Sequence, residues 1–115
     1  LTSDRVGICI DTAHIYASKA DITTYAEATE YVNALKYVDW ICLLHLNGNM
    51  IPNTKARDKH AVPLGEDDFI WKDVKYEDSG CRAFIEFVRA HNIKFIVEIK
   101  AHHTNAQINA FIDKL

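Results

Sequence analysis

Three short apolar runs, at residues 6–10, 40–46 and 93–99, alternate with helix signals, and this serial alternation constrains the fold more than any other feature of the chain. Each run is almost continuously apolar, as a parallel strand buried on both faces would be, and each closes at or near a group able to bind a metal: Asp11, His45 and Glu98. Thr24-x-x-Glu27 forms a capping box, with Ala28, Tyr31, Val32 and Leu35 following at helical spacing; together they predict a helix over about 24–37. Ser79 is placed to cap a second helix, with Cys81, Phe84, Ile85 and Val88 as its apolar stripe and Asn92 as its terminator. A second capping box, Thr104-x-x-Gln107, precedes Ile108, Phe111, Ile112 and Leu115.

Three strand and helix units in series imply an α/β fold with a parallel sheet and right-handed crossovers. Three units neither close a barrel nor cover both faces of an open sheet. A complete eight-stranded barrel takes about 250 residues, so 115 residues read as a piece of one, and a first residue that is Leu1 rather than methionine fits that expectation. The alternative, a small open sheet folding alone, would leave two parallel edge strands to protect. Residues 47–78 carry Gly, Asn, Pro and many charges without periodicity, and so long a connection is usually functional or disordered.

Composition narrows the classes further. With 49% hydrophobic and 25% charged residues, the chain is ordinary for a globular protein and too apolar for a disordered one. No apolar run approaches the roughly 18 residues of a membrane span, and residues 1–10 mix acidic and basic groups where a signal peptide would be apolar, so the expected location is intracellular. Cys9, Cys42 and Cys81 are odd in number, far apart and set in apolar stretches, which predicts buried reduced thiols rather than disulfides or a thiolate metal site. The net charge of −3 argues against a nucleic-acid partner at face value. Neutralising Asp11, Asp58 and Glu98 with cations would leave 13 acidic against 13 basic residues, so global charge does not decide the partner.

The candidate ligands are Asp11 with His14, His45, Asp58 with His60, and Glu98. Carboxylate and imidazole are the groups a zinc site requires, and strand ends are where rigid scaffolds present them. Each has an ordinary reading as well. Asp11 could cap a helix, and His45 could be a hydrogen-bonded core histidine. Asp58 and His60 face the same way on an extended segment, but Lys55, Arg57 and Lys59 would make an ordinary solvated charge cluster around them. Glu98, between Val97 and Ile99, needs a partner; Lys94 and Lys100 are candidates, though neither is well placed by strand alternation. His102 and His103 are further possible ligands in a turn, and His91 suits a helix carboxyl end. No Gly-rich phosphate loop, Ser-His-Asp arrangement or aromatic stacking platform is present.

Taken in order, residues 6–14 (VGICIDTAH), His45-Leu46-Asn47, Asp58-Lys59-His60, Leu64-Gly65-Glu66 and Ile70-Trp71 resemble the endonuclease IV family over nearly the whole chain, in wording closest to forms carried by some large DNA viruses. The resemblance implies the carboxyl-terminal part of a (β/α)8 TIM barrel, covering its last three strands, with residues 1–115 forming a portion of one domain. It implies Zn2+ as cofactor, three ions in a complete site, and hydrolysis of the phosphodiester 5′ to abasic sites in double-stranded DNA without a covalent enzyme intermediate. Asp11, His45 and Glu98 would serve one zinc and bear on catalysis, while His14, Asp58 and His60 would serve another; the remaining ligands belong to the family's amino-terminal half. Gly48 stands where the family commonly has an aspartate, and Lys59 where it has an arginine. The competing expectations are a single-metal sugar isomerase or epimerase of the xylose-isomerase-like barrels, which generally lack the second triad, and a truncated product that binds zinc or DNA without catalysis.

Overall fold

The structure is a computed structural model and describes residues 6–98, 100 and 103–115. Strand β1 (Ile8–Asp11) runs directly into helix α1 (Thr12–Ala17), which is not among the helices predicted from the sequence. Six residues are too few to display a helical period, but Asp11 supplies the start signal: its Oδ1 accepts from Ala13 N at 2.8 Å and His14 N at 3.3 Å. Helix α2 (Tyr25–Asn33) begins at Thr24 with both capping-box bonds formed. It stops short of the predicted residue 37, where Tyr37 adopts a left-handed conformation at φ 60° that a continuing helix does not accommodate. A single 3-10 turn then leads into β2 (Ile41–His45).

The connection read as irregular holds a two-stranded antiparallel ladder, β3 (Gly48–Asn49) with β4 (His60–Ala61). Helix α3 (Gly80–Ala90) is capped by Ser79 and followed by Asn92 at φ 59°, as its sequence implied. Strand β5 (Lys94–Ile96) and helix α4 (Asn105–Ile112), the latter with its capping box intact, complete the described elements.

Strands β1, β2 and β5 form one parallel sheet in chain order, with β2 central. Ile10, Leu44 and Phe95 lie in one row across it and belong to the core that α2 and α3 supply through Ala28, Val32, Phe84, Ile85 and Val88. The two helices start side by side: Gly80 N–H donates to Thr23 O at 2.9 Å, and a Cβ at Gly80 would fall 1.8 Å from Ile22 O. Only glycine permits that approach. Trp71 is fully buried and donates its indole N–H to Ile22 O at 2.9 Å, fastening the long connection to the segment before α2.

The helices cover one face of this sheet, and that corrects the expectation for the thiols. All three cysteines are free, but only Cys81, on α3, is buried; Cys9 and Cys42 are exposed on β1 and β2. Ile96 on β5 is likewise 45% exposed. Among the described residues, no helix is long and apolar enough to cross a membrane.

Candidate metal centre

In parallel α/β sheets, ligands gather outside the carboxyl ends of the strands, and here the strands deliver charged groups to that edge. Asp11 and His45 are register partners at the ends of β1 and β2, and Glu98 lies two residues beyond β5. His14 comes from the first turn of α1, while β4 and the segment before it bring His60 and Asp58 over the same edge. All six predicted ligands therefore meet in one place. His45 Nδ1 is 2.7 Å from Glu98 Oε1 and 3.5 Å from Asp11 Oδ2. His60 Nε2 is 3.6 Å from Asp11 Oδ2 and 3.7 Å from Asp58 Oδ2, and its Nδ1 is 3.4 Å from Glu98 Oε2. His14 Nδ1 contacts Asp58 Oδ2 directly.

Several of these separations are long for hydrogen bonds yet suit ligands around one ion, since a tetrahedral zinc with bonds of about 2.0–2.1 Å spaces its ligand atoms roughly 3.3–3.4 Å apart. Asp11, His60 and Glu98 form a group whose ligand atoms all lie within 4.8 Å of one another. That group joins members of both sequence-derived triads, so the two sets abut through His60. His14 is the outermost member, its side chain 70% exposed against 14% for His60. Burial raises the Glu98 carboxyl, but the Lys100 hydrogen bond, the nearby His60 and His45, and the Asn47 amide outweigh it and hold the group below its ordinary value.

Lys100 itself is a correction, because its Nζ reaches Glu98 Oε2 at 3.3 Å. Strand alternation ended at Ile96, so the same-face argument that counted against Lys100 as a partner did not apply there. His103 uses both ring nitrogens for other bonds: Nδ1 accepts from Lys100 N at 3.1 Å, and Nε2 lies 3.1 Å from His60 O. It braces the carbonyl of His60, one of the candidate ligands. His91 caps the carboxyl end of α3 and packs on Phe87, as expected, and His102 lies outside the described residues.

Three buried polar residues that the sequence reading assigned no role hold the candidate ligands in place. Asn47 bridges toward the carboxylates of Asp11 and Glu98. Asn49 Oδ1 accepts from Ile51 N at 3.0 Å and Lys59 N at 3.1 Å, and its Nδ2 donates to Arg57 O at 3.1 Å, so one amide clasps both ends of the segment carrying Asp58. Asp68 in turn accepts from Asn49 N, Leu64 N and Ile70 N at 2.9–3.0 Å. Burial pushes the Asp68 carboxyl up to about 6 despite those bonds. Its position also accounts for Gly48: a Cβ there would lie 2.5 Å from the Asp68 carboxylate carbon, so the aspartate expected at residue 48 has no room.

No family model matches the chain. It is 30% identical over 101 residues to a probable AP endonuclease of African swine fever virus, an alignment covering 82% of this chain and 33% of the viral protein. A probable endonuclease 4 of Akkermansia muciniphila is 32% identical over 72 residues, 58% of this chain and 26% of the bacterial one. The crystal structure of AsfvAP:AG superposes with a TM-score of 0.78 at 27% identity, covering 96% of this chain and 38% of that one. The chain thus spans a third or less of the length of these curated relatives. With the same fold and a ligand cluster at the strand ends, the chain belongs to the endonuclease IV family of AP endonucleases, which it matches over part of a longer protein's length.

Proposed function

We propose that residues 1–115 are the carboxyl-terminal portion of a single (β/α)8 barrel domain whose whole protein cleaves the phosphodiester 5′ to abasic sites in double-stranded DNA with the aid of zinc. The observation that carries this reading is the meeting of three carboxylates and three imidazoles at the carboxyl edge of a parallel sheet. Strands added in chain order, with helices on one face and exposed residues on the other, support a barrel wall rather than a finished open sheet.

In this proposal Asp11, His45 and Glu98 hold one zinc and bear on the reacting phosphate, while His14, Asp58 and His60 hold a second. Zinc, when bound, supplies Lewis-acid polarisation of the phosphodiester and of water. The protein's own groups do the placing. Asp11 commits Oδ1 to the α1 cap and leaves Oδ2 facing His45 and His60. Lys59 and Lys100 line an open pocket of roughly 430 Å³ with His14, Asp58 and His60, setting positive charge where a phosphate backbone would arrive. The Cys9 thiol, though exposed at the sheet surface, is raised above its ordinary value by partial desolvation and the Asp11 charge, which disfavours the thiolate.

The test is incision of a duplex bearing one abasic analogue by the full-length protein. Cleavage 5′ to the analogue, abolished by a chelator and restored by zinc, is the expected result; absence of incision with zinc present refutes the assignment. A preparation holding one manganese or magnesium ion and acting on a sugar would favour an isomerase. The isolated 115-residue chain is expected to be inactive.

A further inference from the structure

The carboxylates of Asp11 and Glu98 come from strands that are not neighbours, since β2 lies between β1 and β5. Nothing in the sheet's own hydrogen bonding fixes their side chains relative to one another. Asn47, two residues past the end of β2, spans the gap. It is fully buried, and its orientation is set by the backbone: Oδ1 accepts from Glu98 N at 3.0 Å, which turns Nδ2 toward Asp11 Oδ2 at 3.2 Å and Glu98 Oε1 at 3.4 Å. The reverse flip would set an oxygen against two carboxylates and an N–H against an N–H. Thr12 locks the same residue from α1, its hydroxyl donating to Asn47 O at 2.6 Å and accepting from Asn47 N at 2.8 Å.

We infer that Asn47 is a positioning residue of the metal centre, whose amide holds Asp11 and Glu98 at one mutual geometry. The inference rests on the metal-centre reading proposed above. Two N–H groups of one rigid amide each meet a carboxylate oxygen, so the amide both relieves the repulsion between two acids and selects which oxygens remain for a cation. A buried asparagine serving only the fold would need its backbone bonds to Thr12 and the Oδ1 bond to Glu98 N; the Nδ2 contacts act on the ligands themselves.

The experiment uses full-length protein with Asn47→Ala and Asn47→Asp, the second being isosteric and retaining the Oδ1 acceptor. Zinc content, zinc affinity by chelator competition, and the visible spectrum of the cobalt-substituted protein are measured beside circular dichroism. Both variants are expected to fold. Asn47→Ala should bind zinc about 10- to 100-fold more weakly, the usual cost of losing a group that orients a ligand. Asn47→Asp should change the cobalt band positions, because an added charge replaces the donor that sets the geometry. Unchanged affinity and spectrum in both variants would overturn the inference, as would loss of fold in both, which would make the amide a determinant of folding alone. Absence of zinc from the wild-type protein would instead defeat the metal-centre reading on which the inference depends.

Discussion

Asp68 offers a prediction whose sign follows from the structure. Its carboxyl is buried beneath the ladder that carries the ligand segment and is raised from 3.8 to about 6. A folded-state value above the unfolded one means that the native state binds the proton more tightly, so this group's contribution to stability is fully present below about pH 4 and is lost as pH rises through about 6. A shift of about two units corresponds to about 3 kcal/mol in all, of which about 2 kcal/mol falls between pH 4 and 7. Asp68→Asn cannot titrate. It keeps an oxygen for Asn49 N–H and Ile70 N–H but sets an amide N–H against Leu64 N–H, a fixed cost of about 1–3 kcal/mol. Denaturant unfolding of the metal-free wild type and variant from pH 4 to 7 isolates the titrating part, because other groups cancel in the difference. The wild type's advantage should shrink by about 2 kcal/mol as pH rises. A constant or growing advantage would show that the three backbone donors outweigh desolvation and hold Asp68 at or below its ordinary value.

Asn49→Ala removes three bonds from the segment between β3 and β4; it should cost about 1–3 kcal/mol and hasten proteolytic cutting between residues 50 and 59, and unchanged cutting would argue that the ladder alone holds the loop. Gly80→Ala drives a methyl group against Ile22 O, so a loss of more than about 3 kcal/mol or failure to fold is expected in denaturant titration, whereas a change below 1 kcal/mol would mean that the α2–α3 approach readily relaxes. His60→Ala should reduce bound zinc measured by mass spectrometry in the full-length protein, while His91→Ala, at the end of α3, should leave it unchanged; equal loss in both would remove the site-specific interpretation.

Helices α2, α3 and α4, and the side chains that gather at the strand ends, were legible because both rest on short-range chemistry. Capping boxes at Thr24 and Thr104 fix helix starts within four residues of chain, and the α3 stripe repeats its period over eleven. Asp11 was legible in both of its readings, since the same carboxylate caps α1 with one oxygen and faces the imidazoles with the other. What pattern did not disclose depends on contacts distant in sequence. Gly48 looked like a departure from the family until Asp68, twenty residues on, was seen to occupy its space. The exposure of Cys9 and Cys42 depends on which sheet face the helices cover, a question that an apolar run cannot answer. Asn49 carried no motif of its own and Asn47 stood in the His45-Leu46-Asn47 stretch without a role; only the return of Glu98 and Lys59 to their amides shows what they do.

Anomalous diffraction at the zinc edge from crystals of the full-length protein would locate the metal ions directly. One peak is expected among Asp11, His45 and Glu98 and another among His14, Asp58 and His60. Peaks elsewhere, or zinc-loaded crystals with no peak at these six side chains, would contradict that assignment.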